Sequence, residues 1–515
     1  MSKYKSKKNE KVWGYFYRNA GGRFIEDPAQ EMTTMRNEYI PVKGVHSFDK
    51  AHVVMLIEQK IITKKDGIKI LRALLEMERK REGYEIIRKK VGGGGHSGEA
   101  YLIEKLGVEI GGQIHLGRSS ADLIGVAIRI EERDHILQVL HGLYSLVKTL
   151  LHISKNQLMT VLPAYTHFQQ AQPITLAHYF VSWVYALMRD IDRFKELYLR
   201  INSSPAGAAI VSGSAFQIDR RKVAELLGFD MVLQNTRDAI FGYDPHLELF
   251  SKIAILNNNI ARLCSDLYIW SSSEFRMVEL KDRFCGTSSI NPSKKNPQAF
   301  EQIFSLAASS IGSMNTAFAV DRMPSDAWEV QWRVWSQDLW PIIQQTIKGL
   351  TLTDNVIATM EFKTNRMAEL AQSGWITASD LAALLVNENK IAWRIAHQIV
   401  AQLVRECERK GLGASGITPD LIDKIAEERL GKKLSLSKEA IKKALDPRES
   451  VKGRHLIGGP APEQMIKQMK ECAISLRKYE AEIFKMCNKL IKANKRLDLT
   501  ITNIVRKRST IKMRK

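Results

Sequence analysis

The sequence predicts an all-α protein built around a bundle of long helices. Three observations carry that expectation. From Leu249 the apolar positions run Leu249, Ile253, Leu256, Ile260, Leu263, Leu267 and Trp270, in steps of four and three that place them on one seam. A second seam runs Leu176, Phe180, Trp183, Leu187, Ile191, Phe194, Leu197 and Ile201. Strand signals are sparse, and no internal repeat is visible.

In chain order, the N-terminal part reads as mostly helical up to a boundary near residue 113. The first long helix spans about 122–155, from Asp122 through Leu140 and Val147 to Ser154. The second begins just after Pro173, a residue type that suits a helix start because its missing N–H is not needed there. From about 174 to 201 it would be about 42 Å long at 1.5 Å per residue. The third is the seam over 249–270. Helices of this length need partners along their whole extent, so a bundle or an oligomer is implied. Near Ser373-Gly374 the pattern changes to shorter helices. The expected domains are 1–113, mostly helical; 114–370, the long-helix bundle; and 371–515, a small helical domain with a basic tail.

Composition narrows the class of protein. Hydrophobic residues make up 44% and charged residues 26%, as in globular proteins. No run of 18 apolar residues occurs, so no membrane span is expected. The lysine-rich start, Met1 to Lys11, lacks the apolar core of a secretory signal. The cysteines at 264, 285, 407, 472 and 487 are scattered, without a Cys-x-x-Cys pair. A reduced, cytoplasmic protein without a structural zinc site follows. The net charge is +21, of which residues 1–23 supply +6 and residues 489–515 supply +9. Basic tails can bind nucleic acid, but no aromatic-interleaved basic motif accompanies them, so solvated tails are expected. The mildly basic body suits a substrate with several carboxylates.

Three polar clusters interrupt the helical pattern. Gly117-Arg118-Ser119-Ser120-Ala121-Asp122 precedes a long helix; read alone it is a helix cap, and a helix start also attracts anions. Ala164-Tyr165-Thr166-His167-Phe168-Gln169-Gln170-Ala171-Gln172-Pro173 ends at another helix start and reads alone as a capped turn. It holds His167, the residue type for proton transfer near neutral pH. Gly286-Thr287-Ser288-Ser289-Ile290-Asn291-Pro292-Ser293-Lys294-Lys295-Asn296-Pro297 has the composition of a loop that grips a carboxylate and places a hydroxyl beside an ammonium.

The third cluster resembles the signature loop of the fumarase/aspartase superfamily, Gly-Ser-Ser-x-Met-Pro-x-Lys-x-Asn, with Thr287 in a glycine place and Asn291 in the methionine place. Together the three clusters resemble, in the correct order, the signature regions of the argininosuccinate lyase family. Val12-Trp13-Gly14 and Gly21-Gly22-Arg23-Phe24 resemble its N-terminal motifs. Gln113-Ile114-His115-Leu116-Gly117-Arg118-Ser119 is similar to its Lys-Leu-His-Thr-Gly-Arg-Ser, and Tyr165-Thr166-His167 with Gln169, Gln172 and Pro173 to its second motif. Gly458-Gly459-Pro460-Ala461-Pro462-Glu463 resembles its Gly-Gly-Thr-Ala-Pro-Glu. The likeness covers most of the chain.

The resemblance implies a fumarase/aspartase-type, three-domain, all-α chain that acts as a carbon–nitrogen lyase. It would release fumarate by β-elimination, with no metal or organic cofactor. Ser288 would be the general base, Lys294 would favour its alkoxide, and Lys294 with Asn296 and Ser289 would hold the carboxylate that takes up charge. Thr166 and Gln169 would contact substrate, as would Ser119, Ser120 and Asp122 of the first cluster. His167 would relay a proton. His96 lies in a stretch where the family carries a substrate-proximal histidine in a His-x-x-x-Glu pattern; here Glu99 comes one residue sooner. The family also implies a homotetramer whose active sites each draw on three subunits.

The departures fall where the family contacts substrate. Its Ser-Arg-Asn-Asp is here Ser119-Ser120-Ala121-Asp122. Beyond the signature loop, Trp328, Arg333 and Ser336 stand in the places of its tyrosine, glutamine and lysine. Trp328, Trp332, Trp335 and Trp340 fit one helical face, which suits either core packing or an aromatic wall around a bulkier amine. The expected function is therefore a lyase acting on argininosuccinate, in arginine biosynthesis, or on a related succinyl-amine. The alternatives are a lyase for another aminopolycarboxylate and a non-catalytic homologue in a structural or binding role.

Overall fold

A computed structural model describes residues 40–91, 94–324 and 328–506, without the side chains of 328–335. The motifs at 12–14 and 21–24, the N-terminal basic tail and residues 507–515 lie outside the described residues.

The described residues open with α1 (Val42–Glu58), α2 (Lys64–Arg79), α3 (Gly83–Val91) and α4 (Ser97–Leu106). α1 is buried on nearly every side because it is packed between α2 and the longest bundle helix, α5 (Ser120–Lys155). Gly44 permits the approach: a Cβ there would lie 2.6 Å from the Cα of Ala127.

After α5 the chain forms a hairpin of β1 (Val161–Thr166) and β2 (Gln169–Thr175), then α6 (Leu176–Ile201) and α7 (Asp244–Trp270). Thr175 caps α6 by accepting the N–H of His178 at 3.0 Å. α7 begins a turn earlier than the seam suggests, with Pro245 in its first turn. The bundle is completed by α8 (Gln298–Asp321) and α9 (Trp328–Thr359). Both seams face inward: Leu249, Ile253, Leu256, Ile260, Leu263 and Leu267 are buried, as are Leu176, Phe180, Leu187, Ile191, Phe194, Leu197 and Ile201. Trp183 departs from its seam; it is half-buried, under the Arg262 guanidinium at 5.6 Å.

Besides the hairpin, the described residues contain two other small strand pairs, one parallel (203–204 with 231–232) and one antiparallel (278–279 with 361–362). The C-terminal third contributes to two apolar cores. α10 (Ala378–Asn389), α11 (Trp393–Arg409) and α12 (Pro419–Leu430) share a small separate core with Leu434, Leu436 and Ile441. The last helix, α13 (Pro462–Arg506), runs 45 residues and returns to the main core. Its stripe Met465, Met469, Cys472, Leu476, Tyr479, Ile483, Leu490, Leu497 and Ile501 lies against α5, α6, α1 and α2. Polar ties fix its far end: Lys489 to Asp230, Arg496 to Glu225, Lys50 to Asp498 at 3.4 Å, and Arg72 to the Val505 carbonyl at 3.4 Å.

Although no long apolar run exists in the sequence, α5 and α8 are long and apolar enough to span a membrane by length and mean hydropathy alone. α5 is packed within the bundle against α1, α6 and α9. α8 packs on α7 and α9 and leaves Ile311 and Phe318 exposed.

Candidate active site

The first cluster caps α5. Ser119 and Asp122 form a capping box, in which Asp122 Oδ1 accepts the Ser119 N–H at 2.8 Å. Its other oxygen accepts the N–H groups of Gly207 at 2.8 Å and Ala209 at 3.3 Å. Burial pushes the Asp122 carboxyl up to about 6, against the pull of these donors and of Arg118. The Asp122 side chain is 0% exposed and both its oxygens are engaged with backbone donors. It joins the first cluster to the 206–209 loop. Ser119 and Ser120 are half-buried and remain available. Ala121 packs inward against Ala208, Ala239 and Ile240, so an asparagine at 121 would have to enter an apolar cluster.

Arg118 belongs to a buried ion cluster. Asp49 lies between two guanidinium groups, 2.7 Å from Arg118 Nη1 and 2.5 Å from Arg88 Nη2. Against the opposing effect of burial, these two cations hold the Asp49 carboxyl at about 2. Gly98 fits against this group only because it lacks a side chain; a Cβ would lie 2.2 Å from Asp49 Oδ2. Nearby, His96 is buried and stacks on His115 with ring centroids 5.1 Å apart. Both reach Glu99, His115 Nδ1 at 2.8 Å and His96 Nδ1 at 3.5 Å. Against burial, the two imidazoles hold the Glu99 carboxyl at about 2.

The second cluster is the hairpin rather than a capped turn. Thr166 ends β1, Gln169 begins β2, and His167-Phe168 form the two-residue turn between them. Both turn residues have left-handed backbone, φ +54° at His167 and +56° at Phe168. Such turns match the twist of the strands but favour Asn or Gly, so this pair holds a strained backbone of about 1 kcal/mol per residue. The strain places Thr166, His167 and Gln169 at an exposed tip. Gln170 and Gln172 anchor the hairpin to the Leu370 carbonyl and the Ser379 hydroxyl. His178 meets the Gly458 carbonyl at 3.0 Å, which brings the Gly458-Gly459 motif to the base of the hairpin.

The third cluster is a loop closed by paired backbone bonds between Gly286 and Asn296 at 2.8 and 3.0 Å. Within it the Ser288 hydroxyl oxygen accepts the N–H groups of Ile290 at 3.3 Å and Asn291 at 3.1 Å. Two donors aimed at one oxygen favour negative charge there, which is what a serine base requires. The adjacent lysines differ. Lys295 is held by Glu279 at 3.1 Å and Asp282 at 2.7 Å, whereas Lys294 is exposed and has no ion partner among the described residues. Asn296 donates to the Thr287 carbonyl at 3.4 Å, and Ser289 is exposed.

A single chain does not assemble these clusters. The first caps the N-terminus of α5 and the hairpin follows its C-terminus, so the 36-residue helix separates them by about 54 Å. The hairpin and the stem of the third cluster share one end, where Tyr165 meets Phe275 edge-on at 5.8 Å. Among the tryptophans, Trp340 is a core residue, 2% exposed and 5.9 Å from the His135 ring. Trp328, Trp332, Arg333 and Trp335 lie on α9, but their side chains are outside the described residues; Ser336 is buried. Asp49, Glu99 and His115 were not singled out as site-building residues from sequence, and only the three-residue step from His96 to Glu99 hinted at their grouping.

A family model described as lyase matches residues 25–312, and one described as argininosuccinate lyase C-terminal matches 375–452. The chain is 35% identical over 474 residues to the argininosuccinate lyase of Methanocaldococcus jannaschii, covering 92% of this chain and 96% of that protein. It is 36% identical over 451 residues to that of Methanococcoides burtonii, covering 86% and 90%. Among solved structures, EDDS lyase in complex with formate superposes with a TM-score of 0.84 at 29% identity, covering 93% of this chain and 96% of that one. The class II fumarase of Schistosoma mansoni, at 16% identity and TM-score 0.67 over 81% of this chain and 92% of that one, shares the fold.

Proposed function

The chain belongs to the argininosuccinate lyase family, and from that premise we propose how its residues carry out fumarate-releasing C–N cleavage, and on what substrate. The observation that carries the reading is the Ser288 oxygen with its two backbone N–H donors. Ser288, as alkoxide, takes the proton from the carbon beside a succinyl carboxylate. The electron pair moves into that carboxylate, where Lys294, Asn296 and Ser289 oppose the second negative charge. The pair then returns to form the C=C bond, the C–N bond breaks, and the amine leaves with a proton. His167, exposed at the turn tip, serves as proton carrier, with Thr166 and Gln169 holding a substrate carboxylate. No metal or organic cofactor enters these steps.

The substrate proposed is argininosuccinate or a related succinyl-amine. The inward packing of Ala121 removes the main motive for a non-catalytic homologue, since that position does not present its side chain to solvent. An amine other than arginine is favoured by Ser120 and by Trp328 and Arg333 in the place of the family's substrate contacts.

A homotetramer with sites pooled from three subunits is proposed as well. The length of α5 supports it, and so do the exposed Ile255, Ile311 and Phe318 on α7 and α8. Five unpaired cysteines, three of them buried, suit a reducing, cytoplasmic setting.

The test follows fumarate absorbance with purified protein and argininosuccinate, then in reverse with fumarate and a panel of amines. Ser288→Ala should reduce turnover by at least about 100-fold while leaving the helical content intact. Equal rates with and without the Ser288 hydroxyl would remove it as the base. Turnover with another amine alone would assign the chain to a side branch.

A further inference from the structure

Apart from the residues assigned to the elimination steps above, His96, Glu99 and His115 form a compact group in which one donor atom from each residue lies within 4.8 Å of the others. We propose that this group binds a single borderline divalent ion of the zinc class, through two imidazole nitrogens and one carboxylate oxygen. Two imidazoles with a carboxylate are a donor set that zinc and cobalt accept in protein sites.

The distances support it. Ligands 2.0–2.2 Å from a common ion lie roughly 3.0–3.6 Å from each other. His115 Nδ1 to Glu99 is 2.8 Å and His96 Nδ1 to Glu99 is 3.5 Å, so two of the three pairs are already near that spacing. Only the histidines must draw together, by at most about 1.5 Å. His115 can supply the movement because its side chain is 42% exposed, whereas Glu99 is 9% and His96 10% exposed. The open edge of His115 leaves a position for water as a fourth ligand.

The frame around the group is firm. His96 closes the one-turn helix Gly94–His96, Glu99 lies in the first turn of α4, and His115 ends the short helix Gly112–His115. The Leu116 carbonyl, one residue on, meets His52 Nε2 at 2.9 Å. Arg88 and Arg118, which flank this frame in sequence, are both paired with Asp49, which limits their repulsion of an incoming ion. Because His115 stands four residues before Ser119, an ion held here would also fix the entry to the first cluster.

The proposal is independent of which amine the enzyme releases. Its test is titration of the intact, metal-stripped protein with Zn2+ by calorimetry, and with Co2+ by visible absorption. One ion per chain at micromolar affinity or tighter is expected, with Co2+ bands of nitrogen–oxygen ligation. His115→Gln and Glu99→Gln should each weaken binding at least about 10-fold, while substitution of the exposed His397 to alanine should not. Both glutamine variants keep most of the side-chain volume, and circular dichroism checks their fold. Binding at millimolar concentration only, sulfur-type Co2+ bands, or titrations unchanged by His115→Gln would each overturn the assignment.

Discussion

Asp49→Asn would remove the counter-ion of two buried guanidinium groups. The side chain is 1% exposed, as are the Arg88 and Arg118 side chains that it joins. Asparagine keeps the volume but removes the charge, leaving two buried guanidinium groups facing each other without a counter-ion. Breaking a buried pair by removing one partner typically costs about 3–5 kcal/mol. The acid titration gives an independent figure. Folding holds the carboxyl at about 2 against an ordinary 3.8. That difference corresponds to about 2.5 kcal/mol. Because the folded value is the lower one, this stability is fully present above pH 4 and is lost as the pH falls towards 2. The assay is urea unfolding followed by far-ultraviolet circular dichroism at pH 7 and at pH 3, for both proteins. The variant should be destabilised by about 3–5 kcal/mol at pH 7, and the gap should narrow at pH 3. Because Arg118 leads directly into Ser119, the fumarate-release rate should fall as well. A loss below about 1 kcal/mol, or a gap that does not change with pH, would refute the reasoning.

Other residues make separate predictions. Phe168→Gly removes a left-handed non-glycine residue that is 73% exposed. The protein should gain about 0.5–1 kcal/mol in the same unfolding assay. A loss instead would show that Phe168 is held by contacts from another subunit. Asp122→Asn turns an amide NH2 towards buried N–H donors, which should cost about 1–3 kcal/mol and lower kcat/KM by loosening the first cluster from the 206–209 loop. Unchanged stability would mean that water replaces the lost acceptor.

The bundle was legible because its information is local. A four-and-three rhythm of Leu, Ile and Phe marks both seams, and Ser119 with Asp122 announces the start of α5. The hairpin was not legible. Pro163 and Pro173 both argue against strands, and His167-Phe168 is far from the Asn-Gly that usually signals such a turn. Only the surrounding structure holds those two residues in the left-handed region. α13 was less legible because its buried stripe mixes Met, Cys and Tyr with Leu and Ile among many lysines, although the spacing is the same heptad rhythm. Of the candidate site, Ser288, Lys294 and His167 stood out by residue type and by family motif. Asp49 gave no local sign, since its partners lie 39 and 69 residues away. The motif around Asp122 gave no sign of the backbone N–H groups of Gly207 and Ala209 that its carboxylate accepts, 85 and 87 residues on.

The return of α13 to the start of the chain sets an order of events during synthesis. Lys50 and its partner Asp498 are 448 residues apart. At 5–20 residues per second, a ribosome needs roughly 20–90 s to travel between them. Until Asp498 is made, the faces of α1, α2, α5 and α6 that receive α13 stand uncovered once they have formed.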